Sequence, residues 1–129
     1  MIYAEEIMIG DWIQTNCTIF KVEGFDTSSG EVQSKSWAYD LDNCKPIEIT
    51  PEILKENGFE LKPDGWLWHE FFGNEYQNYI FIQFRKGCKE VRTCELNFTN
   101  KVFLSFKPRY IHELQHALRL CGIDKEIEL

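Results

Sequence analysis

Residues 112–116 read His-Glu-Leu-Gln-His. This matches the H-E-x-x-H pattern, in which two imidazoles one helical turn apart hold zinc and the glutamate serves as general base. The assignment makes His112 and His116 ligands and Glu113 the base of a small zinc hydrolase. Such a site also needs a third protein ligand and a cleft that encloses the metal. Only 13 residues follow His116, and Arg119 and Gly122 stand where the longer zinc signature continues with Gly and His. Glu126, Glu128, Glu70 and His69 are available donors, but spacing selects none of them. On a helix from Tyr110 to Cys121, the residues Tyr110, Ile111, Leu114, Ala117, Leu118 and Cys121 form one apolar stripe. His112, His116 and Arg119 fall opposite it. The expectation is a packing helix with both imidazoles in water, no metal, no cofactor and no catalytic residue.

The other residues with binding chemistry are the aromatics Trp66, Trp68, Tyr79, Phe81 and Phe103. Strand alternation sets Tyr79 and Phe81 on the side away from Ile80 and Ile82, and Phe103 away from Val102 and Leu104. Beside the basic residues of 85–109, such a face could stack single-stranded bases, with Arg92 and Phe103 as contacts, or hold a peptide. The plainer expectation is a second core, with this face covered by the N-terminal part of the chain. His69, in the aromatic strand Trp-Leu-Trp-His-Glu-Phe-Phe, reads as a structural residue. None of the five cysteines forms a C-x-x-C pair, so no zinc-ribbon or redox spacing exists.

The elements that position these residues follow from composition and pattern. In 129 residues, 43% are hydrophobic and 15% aromatic, which fits a folded core rich in strand. The net charge of −7 disfavours a broad grip on phosphate backbones. Residues 1–48 carry 9 acids and 3 bases, whereas 85–109 carry 7 bases and 2 acids. The start has no basic region ahead of an apolar stretch, and no run is long enough for a membrane span. A cytoplasmic protein with no membrane partner is expected.

Ile7–Gln14, Thr18–Gly24 and Val32–Tyr39 read as strands, with a loop at Asp26–Gly30. Gly10 suits a sharp bend, and Ile13, Phe20 and Val22 suit an interior. In 47–60, Thr50 is an N-cap, Pro51 a first helical residue and Gly58 a left-handed stop. Strands follow at Trp66–Phe72, Tyr79–Arg85, Glu90–Asn97 and Lys101–Phe106. The expected fold is α+β. An SH3-like small β-barrel (1–48) precedes a connecting helix, a four-stranded antiparallel meander and a C-terminal helix packed with it (49–129).

Three stretches carry a resemblance. They are I-G-D-W-I at 9–13, P-I-E-I-T-P-E-I-L-K-E-N-G-F at 46–59, and Y-I-H-E-L-Q at 110–115 with D-K-E-I-E-L at 124–129. In these the chain resembles a family of short proteins from Bacteroides genomes, prophages and mobile elements. Relatives look like R-I-G-N-x-V, I-P-L-T-x-E-x-L-x-x-x-G-F and Y-V-H-x-L-Q-N. They have Asn at the position of His116 and a variable residue at that of Glu113, so the resemblance retains only His112 of the zinc pattern. It implies no activity, cofactor or substrate, and suggests a phage or mobile-element setting. The expected function is a non-enzymatic protein-binding or accessory module, with nucleic acid a disfavoured partner and the oligomeric state left open.

Overall fold

The computed structural model describes the backbone of residues 2–61, 67–73, 76–84, 91–98, 101–120 and 126–129, and the side chains of 2–60, Ile82, 107–120 and 126–129. The chain is α+β. It divides into two units: Met1–Glu48 with Tyr110–His112 and Glu128–Leu129, and Ile49–Arg109 with Glu113–Ile127. Among the described residues, no helix is long and apolar enough to cross a membrane.

In the first unit, β1 (Trp12–Gln14) pairs antiparallel with β2 (Ile19–Lys21), with Ile13 opposite Phe20. The bend before β1 depends on Gly10 at φ 94, whose N–H donates to the Val22 carbonyl at 2.7 Å. A side chain there would meet the steric cost of left-handed backbone. β3 (Gly24–Asp26), β4 (Glu31–Gln33) and β5 (Ala38–Asp40) form a separate three-stranded antiparallel sheet. The loop before β4 is built by Asp26, whose carboxylate accepts from the Ser28 and Ser29 amides and the Ser28 hydroxyl. These donors hold the Asp26 carboxyl below its usual pKa. Ile13, Phe20, Val22 and Val32 are buried together with Ile2, Ile7 and Cys44, and Phe20 stacks on Tyr39 at 4.4 Å. A 3-10 turn (Leu41–Asn43) follows β5, after which Lys45 and Gln14 exchange backbone hydrogen bonds.

Two expectations for this unit are corrected. Val32–Tyr39 is a hairpin and not one strand. The Ser34 hydroxyl accepts from the Trp37 amide and donates to the Trp37 carbonyl, reversing the chain. The strands also occupy two small sheets, and among the described residues no continuous ladder closes them into a barrel.

The second unit opens with α1 (Pro51–Glu56). Thr50 caps it by accepting from the Ile53 amide at 3.2 Å, with Pro51 in its first turn. It ends on Gly58 at φ 89, where Gly58 N–H donates to Lys55 and Phe59 N–H to Leu54. This is the paired bonding that an αL residue permits at a helix end, and Leu54 and Phe59 are both buried beside it. The chain leaves this stop as β6 (Glu60–Leu61), which pairs with β7 (Leu67–Gly73). β8 (Tyr76–Phe84), β9 (Val91–Phe98) and β10 (Lys101–Phe106) complete a sheet of order β10-β9-β8-β7-β6. Five strands are present instead of four, because the Gly58 turn delivers Glu60 and Leu61 directly to the edge of β7.

The register of β10 on β9 shifts at one point. Val102 pairs with Asn97 but Leu104 with Leu96, which are adjacent residues of β9. The extra residue at 103 breaks the alternation. α2 (Ile111–Leu120) completes the described elements.

Candidate functional site

The H-E-x-x-H segment lies in the first turns of α2, with both imidazoles on it, but its surroundings differ from expectation. His112 is 5% exposed, and its ring lies parallel to that of Tyr110 with centroids 5.8 Å apart. His116 and Glu113 are half-buried. The placement of His112 in water is therefore incorrect. The buried positions of α2 are Ile111, His112, Leu114, Gln115 and Leu118, while Ala117 is only half-buried. At 100° per residue, that arc is turned by about 70° from the stripe of apolar residues.

A ring contact and a hydrogen bond accompany the turn. The Tyr110 ring covers His112, and Gln115 Oε1 accepts from the Ile127 amide at 2.7 Å. Gln115 is buried at little cost because its side-chain oxygen makes its hydrogen bond inside the protein. Ile127 itself is buried, and its amide bond to Gln115 sets it beside α2. Among the acids of this segment, Glu126 meets Arg119 at 3.4 Å and Glu128 meets Lys21 at 3.5 Å. Among the described residues, no three His, Cys, Asp or Glu side chains are grouped to hold a metal ion.

Of the aromatic set, Trp66 lies outside the described residues. Trp68, Tyr79, Phe81 and Phe103 lie in strands whose side chains are likewise outside them. Their backbone register is described: Trp68 stands directly across from Phe81, and Tyr79 across from Glu70. Phe103 occupies the bulge between the paired residues Val102 and Leu104. Cys121 and the basic residues Arg85, Lys86 and Lys89 are also outside the described residues.

The surface feature that alternation does not reveal is on the first unit. Trp37, read in the sequence as part of a strand, is 71% exposed at the turn of the β4–β5 hairpin. The Ser-Lys-Ser-Trp stretch at 34–37 is the signal that could have located it, since serine hydroxyls build turns against neighbouring amides. At the other end of the same hairpin, Asp26, Glu31 and Asp40 stand on one rung across three strands. The side chains on that face project from a sheet whose other face holds Val32 and Tyr39. One hairpin thus offers an apolar contact at its turn and a rung of three acids at its other end.

No family model, curated protein or solved structure matches this chain.

Proposed function

We propose that this chain is a non-enzymatic, cytoplasmic binding or accessory module whose partner is a protein, and that its setting is a prophage or mobile element. The observation that carries the reading is Trp37, an indole left 71% exposed by a unit that buries Phe20 and packs Tyr39 against its core. Tryptophan is favoured at protein interfaces, where it supplies large contact area at low entropic cost. The acids in residues 1–48 disfavour a polyanion as the partner of this unit.

We also read the first unit as SH3-like. The order of its hairpins, the 3-10 turn after β5 and the return of Lys45 onto Gln14 support that reading. Capture from cells of the native host, with wild type and Trp37→Ala compared, tests the function. At least one protein held by wild type and lost by the variant supports it. Identical sets in the two captures, or near-stoichiometric zinc that His116→Ala removes, would sink it.

A further inference from the structure

The hairpin that displays Trp37 also leaves a strand edge open. Among the described residues, β5 pairs with β4 on one side and with no strand on the other. The bonds Ser34 N–H to Trp37 O and Leu41 N–H to Gly30 O set which rungs are hydrogen-bonded. With antiparallel alternation, Val32 and Tyr39 form the hydrogen-bonded rung between them. The N–H groups of Ala38 and Asp40 and the carbonyl of Ala38 then point away from β4. Trp37, Ala38 and Asp40 are exposed and Tyr39 is half-buried, and among the described residues the Cys44 thiol, which donates to the Asp40 carbonyl at 3.5 Å, meets the outward backbone of this edge.

The charge on the edge indicates what can occupy it. Asp40, Glu31 and Asp26 share a rung, Asp42 follows in the 3-10 turn, and the hairpin's base, Lys35, sits at the turn. Pairing this edge with the same edge of a second copy would bring like charges together, a common way for sheets to block self-association. A basic segment has the opposite balance. Residues of a guest strand that fall on the Glu31–Asp40 face recur at every second position.

We propose that the free edge of β5 accepts an extended peptide segment of a partner protein as a fourth strand. Lysine or arginine at alternate positions of that segment faces Glu31 and Asp40, and an apolar residue meets Trp37. Trp37 and Asp40 are about 10 Å apart along the strand, so four residues of guest span the site. Main-chain bonds to Ala38 and Asp40 supply affinity and the acids supply selection. This rests on the protein-binding reading above and names the chemistry of its partner.

The test is an amide NMR titration of the full chain with an alternating lysine–valine octapeptide and its glutamate–valine counterpart. The lysine peptide is expected to shift and protect the Ala38 and Asp40 amides, and to bind at least about tenfold more tightly than the glutamate peptide. Ala38→Pro removes an outward N–H without touching the bonds to β4, and should weaken binding by about tenfold or more. Glu31→Lys should narrow or reverse the charge preference. A lysine peptide N-methylated at alternate residues keeps the charge but loses donors, and should not bind even if Ala38→Pro fails to fold. Equal affinity for both peptides, shifts confined to other residues, or no binding at about 1 mM overturns the edge. Binding elsewhere leaves the protein-binding reading standing, whereas that reading falls if capture from cells ignores Trp37.

Discussion

The two helices of this chain are stabilised by different kinds of information. α1 is six residues long, and its ends are made by residues within it or next to it: Thr50, Pro51 and Gly58. α2 is ten residues long and buries two polar side chains, His112 and Gln115, through Tyr110 just before it and Ile127 after it. A cap is a local hydrogen bond, so the residue type alone announces it. A buried amide depends on where a segment twelve residues away comes to lie. The comparison teaches that polarity predicts exposure only where no distant partner is supplied.

The contrast can be broken most forcefully at the centre of the α2 interface. Leu114→Ala, at a position with no exposure, should cost about 3 kcal/mol in chemical denaturation, whereas Leu120→Ala, on the open side, should stay within about 0.5 kcal/mol. Gln115→Ala should cost about 2 kcal/mol, because it leaves the Ile127 amide without its acceptor. Faster hydrogen exchange at Ile127 would locate that loss. If Gln115→Ala were as mild as Leu120→Ala, the difference between the helices would vanish.

Thr50→Ala should cost about 1 kcal/mol, and Thr50→Asn should recover most of it, as expected of a purely local cap. The smallest effect belongs to the Asp26 loop. Its carboxyl is held below its usual pKa, first by the Ser28 hydroxyl and then by the Ser29 and Ser28 amides. A depressed acid stabilises the fold above its unfolded pKa and loses that contribution as pH falls through the folded value. Ser28→Ala should therefore move the Asp26 titration upward, read by carboxyl NMR. An unmoved titration would assign the depression to the amides alone.

Legibility in the sequence follows the same division. Alternation placed Ile13, Phe20 and Val22 inside, and all three are buried. The punctuation at Gly10, Asp26–Gly30, Thr50 and Gly58 was read correctly, because each residue there has a conformation or hydrogen bond that few others can supply. The Ser34–Trp37 turn is hidden in the sequence, since Val32–Tyr39 also contains residues favoured in strands. The register shift at 103 is hidden too, because a two-residue period carries no mark of an inserted residue. The interior place of His112 is not legible because an imidazole at that helical angle is ordinarily solvated.

The sequence by itself determined the α+β class, the ends of α1 and the inward residues of the first hairpin, all of which depend on contacts among near neighbours. Tertiary structure alone decided that His112 and Gln115 are buried, that β10 carries a bulge and that Trp37 stands in solvent on an open strand edge. The physical reason is that burial and pairing are properties of two surfaces meeting. Only one of those surfaces is written in any short stretch of chain.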